Sequence, residues 1–411
     1  MLWCGSSWGG SVAERAVSLA ELVDENQIEV GAGRPRSVNQ DQGPLPILRV
    51  ADVLDGKIGS LDFSSSPESH SRDLGPKVSR PGDIVLTVKG TVGRVALMPS
   101  QGPRFAYSPQ LCYFRPRTYG PLAARYLYYW FRSADFWIQA NALKGQTDMA
   151  DFISLGDILS LKLRIPSRAQ QENVVGVLGA LDDKIAVNER IAVTAGQLAD
   201  SIFGQHAQKA RLEPMSKNMV PILGGTPDRK VDSYWGPGIP WASAKDVASA
   251  TSGVVVETTE QITTEAAAST RVKPLPERSV VLTARGTVGA VARVTRPTAI
   301  NQSCYAFIPG DIPPALLFHL IRTGAENMLG VAHGTVFSTV NMKTFDHVLI
   351  PAIDIEMRAA LEEELAPLHR QIEARIEESR TLATLRDTLL PQLMSGKLRI
   401  RDAEKIVEDA V

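Results

Sequence analysis

Cysteine is almost missing: three residues (Cys4, Cys112, Cys304) in a chain of 411. So few thiols exclude a disulfide framework and point to a reducing, cytoplasmic compartment. No apolar run approaches the roughly 20 residues that span a bilayer, which predicts no membrane segment. Met1 to Gly10 lacks the basic start and apolar core of a secretory signal. Neither sign of charge dominates: the formal net charge is -1, so net charge alone predicts no nucleic-acid partner. Recognisable catalytic chemistry is also missing. There is no phosphate-cradling Gly-x-x-x-x-Gly-Lys-Ser/Thr loop; at Ser395-Gly396-Lys397 the first glycine is replaced by Pro391. Asp311-Ile312-Pro313-Pro314 lacks the polar residue directly before the prolines that an amino-methyltransferase needs. The histidines (His70, His206, His319, His333, His347, His369) show no metal-ligand spacing, and no Gly-x-Ser-x-Gly elbow occurs. The expectation is a chain with no active site and no metal of its own.

What is present is a repeat. Residues 82–95, reading GDIVLTVKGTVGRV, return at 278–291 as RSVVLTARGTVGAV, an offset of 196. Gly33-Arg34-Pro35 answers Gly225-Thr226-Pro227. Pro46 and Asp52-Val53 answer Pro240 and Asp246-Val247. Gln110, Cys112 and Tyr113 answer Gln302, Cys304 and Tyr305, and Ile165-Pro166 answers Ile350-Pro351. Several matches in one order, with offsets drifting only from 196 to 185, describe a duplicated domain. Val-, Ile- and Thr-rich runs predict strands at 84–88, 92–97 and 110–114, and again at 280–284, 288–294 and 302–308. Lys89-Gly90 and Arg285-Gly286 fall where a hairpin turn needs glycine. Cys112 and Cys304 read as small core residues on those strands.

A proline-free stretch, 168–205, follows the first copy. Leu178, Leu181, Ile185 and Asn188 fall at alternating spacings of three and four, a heptad seam with one polar position. Leu365, Leu368 and Ile372 repeat the spacing of Leu178, Leu181 and Ile185 after the second copy; Ile376 follows at four, and the seam breaks around Arg375 and Ser379. One long helix cannot bury such a stripe alone, so the economical arrangement packs the two together. The fold class expected is α+β: two duplicated domains, each followed by a long helix, the helices pairing as an antiparallel coiled coil with pseudo-two-fold symmetry. The segments are 1–167, 168–212, 213–352 and 353–411, with net charges of +2, 0, +1 and -4. The mildly basic repeat domains permit nucleic-acid binding without establishing it.

Candidate contacts cluster around the hairpin. Lys89 and Arg285 sit beside glycine, where a long cation can reach a phosphate or a guanine edge. Thr91 and Thr287 can donate to phosphate. Gln110 and Gln302 suit adenine edges, and Lys144, Gln146, His333 and Thr335 flank glycines in a second loop. Arg94, Trp241 and Lys245 complete the set, with the bland alternatives of turn chemistry for the glycines and half-burial for the tryptophan. Asp52 and Asp246 read as turn or cap residues.

The duplicated order resembles the specificity subunit of type I restriction–modification systems. The residues that carry it are Gly225-Thr226-Pro227, Tyr234-Trp235, Gly238-Ile239-Pro240-Trp241 through Asp246-Val247, the run 282–289, Asn301-Gln302, and Leu389-Leu390-Pro391-Gln392-Leu393-Met394-Ser395-Gly396-Lys397-Leu398. The first copy departs from the pattern, with Leu45-Pro46-Ile47-Leu48 in place of Ile-Pro-Trp. The resemblance implies a non-catalytic subunit binding double-stranded DNA, each domain reading half of a bipartite target. It implies helices that dock two methyltransferase subunits, and a restriction/translocase subunit joining them. S-adenosylmethionine, ATP and magnesium would belong to those partners. Two other readings stay open: a two-repeat protein-binding scaffold without DNA specificity, and the recognition half of another methyltransferase-nuclease assembly.

Overall fold

β-Branched and aromatic residues fill the repeated runs, and in the computed structural model those runs are strands. The structure describes residues 16–33, 46–59, 77–102, 104–143, 145–146, 151–332 and 340–410. The chain divides into two compact units, Met1–Asp182 with Thr384–Val411, and Asp183–Ala383.

In the first unit, strands Ile28–Ala32, Leu111–Pro116, Ile84–Thr87 and Val95–Leu97 form an antiparallel sheet in that spatial order. Strand Ile47–Leu48 pairs parallel with Ala106–Tyr107, and Ala16–Ser18 pairs with Lys162–Arg164. Side chains alternate between the two faces of the sheet along each strand. Val85, Ala96, Leu111 and Tyr113 share one buried cluster with Leu48 and Phe105.

The second unit repeats the plan. Strands Ile222–Leu223, Cys304–Phe307, Val280–Thr283, Val291–Val294 and Val254–Val255 form its main sheet, the last pairing parallel. The parallel pair recurs as Trp241–Ala242 on Ala299–Ile300, and the closing pair as Leu212–Pro214 on Leu349–Pro351. Two clusters fill its two faces, one with Val280, Leu282, Tyr305 and Phe307, the other with Val281, Ala292, Cys304 and Ala306.

Register corrects one equivalence drawn from sequence. Ile84 faces Phe114 where Val280 faces Phe307, and Thr87 faces Leu111 where Thr283 faces Cys304. With the hairpins superposed in this way, Leu111 corresponds to Cys304 and Gln110 to Ser303. Matching cysteine to cysteine slips the strand by one residue, which turns every side chain to the other face.

The long helices run Arg168–Ala207 and Ile355–Met394, 40 residues each, or about 60 Å at ~1.5 Å per residue. The unit boundary falls inside both. Within the second unit they pack antiparallel. Lys184 lies 3.1 Å from Glu378; Ala192 and Ala195 meet Ile372, Leu368 and Ile376; Ala199 and Phe203 meet Leu361 and Leu365. Seam residue Asn188 is buried, while Ile185 is half-buried. Within the first unit Leu178, Leu181, Leu389 and Leu393 are buried, and Arg386 donates to Asp182 at 2.8 Å. Gln171 fixes the start of the first long helix: its amide donates to Pro121 and Pro166 carbonyls and accepts from Ala123 N–H. Among the described residues, no helix is long and apolar enough to cross a membrane.

Candidate nucleic-acid interface

A threonine at the end of the first hairpin strand shapes the loop that follows. Thr87 Oγ1 donates to the Thr91 carbonyl at 2.5 Å and accepts from Arg94 N–H at 2.9 Å. Gly90 and Gly93 adopt φ of +87° and +92°, the left-handed region that a side chain resists. The second unit builds the same loop. Thr283 Oγ1 donates to the Thr287 carbonyl and accepts from Ala290 N–H at 2.9 Å, with Gly286 and Gly289 at +78° and +89°. Gly93 N–H donates to the Thr87 carbonyl, as Gly289 N–H does to that of Thr283. A side chain packs on the second glycine of each loop, Trp137 on Gly93 and Leu329 on Gly289. The two threonines that clip these loops were not among the sequence candidates. Their signal was the Leu-Thr that precedes each Lys/Arg-Gly-Thr-Val-Gly.

The clip presents the loop apex to solvent. Lys89, Thr91, Arg285 and Thr287 are exposed. The flanks of the second candidate loop lie beside this apex in both units. Phe152 bridges Lys89, Gly90 N–H donates to the Asp151 carbonyl, and Asp151–Phe152 pairs with Gly145–Gln146. Gln146 is thereby brought to the hairpin through its backbone. In the second unit Val340 N–H donates to the Ala284 carbonyl. Lys144, His333 and Thr335 lie outside the described residues. Residues flanking the second loop, Asp151 and Phe152 in one unit and Val340 in the other, therefore meet the hairpin.

Other candidates are placed differently. Arg94 is half-buried, its Nη1 3.5 Å from the Val53 carbonyl, and its counterpart in the second hairpin is Ala290, which carries no charge. Gln110 is half-buried, and its carbonyl accepts from Val88 N–H. Gln302 is exposed and accepts from the Thr226 hydroxyl. Lys245 is exposed on helix Ala244–Ala248. Trp241 is corrected: it is a core residue, 4% exposed, with its indole N–H donated to the Gly225 carbonyl at 3.0 Å and Trp235 edge-on at 5.1 Å. Its large apolar ring is the anchor of the small sheet, so it is unavailable for stacking on a base. Arg229, missed in the sequence, stacks over Trp235 at 3.8 Å and donates to Glu260. Asp246 caps its helix through Ser243 and Asp52 caps Val50–Asp52, as read from sequence.

Burial pushes the Cys112 and Cys304 thiols up to about 12, which keeps them protonated and unreactive. Among the described residues no group of three or more His, Cys, Asp or Glu could hold a metal ion. What the loops offer is exposed cations, hydroxyls and open glycine backbone, a set suited to contacting a polyanion.

Comparison with known proteins agrees with that inventory. Residues 217–355 match the type I restriction modification DNA specificity domain. The type I restriction enzyme MjaIX specificity subunit of Methanocaldococcus jannaschii is 30% identical over 139 residues, 33% of this chain and 32% of that protein. The HindI specificity subunit of Haemophilus influenzae is 20% identical over 327 residues, 60% of this chain and 71% of that protein. The chain thus spans about a third of the first relative's length. The fold is that of the type I restriction-modification S subunit from M. genitalium, with a TM-score of 0.55, 12% identity, and coverage of 94% of this chain and 98% of that one.

Proposed function

We propose that this chain, similar at residues 217–355 to the type I restriction modification DNA specificity domain, is a specificity subunit of that kind and reads a bipartite DNA target. Each repeat domain reads one half-site, and the two hairpin ends are the reading ends. One observation carries the proposal: the domain matched at residues 217–355 presents a threonine-clipped cationic hairpin that the first unit also builds. Two different domains in one chain supply in cis what a dimeric DNA binder obtains from two subunits. The target need not be palindromic, and half-site centres would lie roughly one helical turn apart, ~10 bp or a little more.

The long helices would dock two methyltransferase subunits, and a restriction/translocase subunit would join that complex. The chain itself acts as a non-catalytic adaptor of a cytoplasmic assembly. S-adenosylmethionine, ATP and magnesium belong in this reading to the partner subunits, which supply methyl transfer and motor-driven cleavage.

Selection from a random duplex library, with this chain co-expressed with its methyltransferase, tests the proposal. Two short unrelated blocks with a fixed gap are expected. A well-folded complex that enriches nothing sinks sequence recognition and favours a protein-binding scaffold.

A further inference from the structure

One exposed element has the same conformation in both units: the Gly-Thr-Val-Gly loop with its preceding cation. Resting on the DNA-recognition reading above, we infer that these two hairpins are sequence-independent phosphate grips, and that the bases are read by elements that differ between the domains.

Three observations lead there. The first is geometric. Both loops carry two left-handed glycines, the same threonine clip, an exposed cation and an exposed threonine at matching positions. Domains that read different half-sites need readers that differ, and these do not. Differences begin immediately beside the loop, at Arg94 against Ala290 and at Gln110 against Ser303.

The second is chemical. The cation is Lys89 in one unit and Arg285 in the other. Arginine's planar fork and lysine's point charge are not interchangeable at a base edge. Both neutralise a phosphate, and the adjacent hydroxyl donates to phosphate in either context.

The third is steric. A Cβ at Gly90 or Gly286 would meet no atom within 4 Å, so the backbone at each apex is open to close approach by another chain. The threonine clip fixes that apex before any contact forms, which reduces the ordering cost of binding.

The test uses the full chain with Lys89→Gln, Arg285→Gln and the double variant. Affinity is measured against potassium chloride concentration on two duplexes, one bearing the selected motif and one scrambled. The salt slope is expected to fall by about 0.9 for each cation removed, on both duplexes alike. The selected motif should stay unchanged. Lys89→Arg and Arg285→Lys should restore the wild-type slope, which separates loss of charge from damage to the fold. A variant that alters the preferred base at one position, with the scrambled duplex bound as before, overturns the inference and makes the cation a base reader. Unchanged slope and affinity on both duplexes also overturn it, leaving the hairpin only a turn. If the wild type enriches no motif, the recognition reading fails separately, while the slope on the scrambled duplex still tests the grip.

Discussion

The two units build one hairpin but bury charge in different places. In the first, the network lies in the sheet. Asp83 is fully buried and accepts from Arg115 Nε at 2.6 Å, Arg115 Nη2 at 2.7 Å and the Tyr107 hydroxyl at 2.7 Å. Arg115 Nη1 reaches Glu29 at 2.8 Å. At the matching positions the second unit has Ser279 and Ile308, and Ser279 Oγ donates to the Pro276 carbonyl. Its buried polar groups sit where sheet and helices join. Arg293 Nε donates to Glu373 at 2.7 Å, and His319 Nε2 lies 3.0 Å from His369 Nε2. The lesson concerns what duplication keeps. Backbone-directed features and apolar faces tolerate drift one residue at a time. The members of a buried polar set depend on one another, because removing one leaves the others buried without a partner.

The largest effect expected from this contrast is at Arg115. Arg115→Met leaves Asp83 buried with its charge uncompensated, at a cost of about 3–5 kcal/mol in urea denaturation of the chain. Ser279→Ala, at the position of Asp83 in the other unit, should cost about 1 kcal/mol. Pairing Arg115→Met with Asp83→Leu should recover most of the loss. Equal losses at Arg115 and Ser279 would remove the contrast.

The hairpin glycines sharpen it from the other side. Gly93 and Gly289 share a left-handed φ, so alanine costs ~1–2 kcal/mol at either. Their lids differ. A Cβ on Gly93 would lie 2.0 Å from the Trp137 ring, whereas one on Gly289 would lie 3.0 Å from the end of Leu329. Leucine can rotate away and the indole cannot, so Gly93→Ala should carry a further ~1–3 kcal/mol. Matched melting curves check the order; a reversed order would mean that Trp137 yields more easily than Leu329.

Acid should distinguish the units as well. Burial, with Arg293 and His319 nearby, pushes His369 down from 6.5 to about 2. Burial also lowers His319, against the pull of Asp200. A neutral folded imidazole binds fewer protons than its unfolded counterpart below pH 6.5. Stability is therefore complete above that pH and falls as pH drops toward the folded value. At pH 5 His369 alone accounts for about 2 kcal/mol. In the first unit the only histidine is His70, outside the described residues. Amides of the second unit should lose hydrogen-exchange protection first on acidification, and His369→Gln should flatten the dependence. Equal loss in both units would show that another group governs it.

Much of this architecture was legible in the sequence. The hairpin repeat, the two long helices and the seam through Leu178, Asn188, Leu365 and Ile372 follow from period and from glycine placement, which are local signals. The hairpin loops were legible from their glycines, but the pairing of Phe152 with Lys89 was not, because that bridge is set by the fold. Register failed where residue identity misled: Cys112 and Cys304 look equivalent, yet hydrogen bonding places Leu111 opposite Thr87. Trp241 was ambiguous because an aromatic ring suits either a base or a core. The paired His319 and His369, 50 residues apart, have no local signature at all.

The smallest effect lies along the long helices and compares two charge pairs, one in each unit. In the first unit Asp182 is mostly buried, accepting from the Tyr129 hydroxyl at 2.6 Å and from Arg386 at 2.8 Å. In the second, Lys184 and Glu378 lie 3.1 Å apart with side chains 42% and 24% exposed. Water screens the second pair, and holding two long side chains offsets part of the attraction. Asp182→Asn should cost ~1.5–3 kcal/mol, since it weakens two bonds to a charged group. Glu378→Gln should cost ~0.2–1 kcal/mol and less as salt rises. A double-mutant cycle on Lys184 and Glu378 reads that coupling directly. A salt-independent coupling above this range would place the pair in a drier setting than its exposure implies, and both charge pairs would then hold the long helices rather than one.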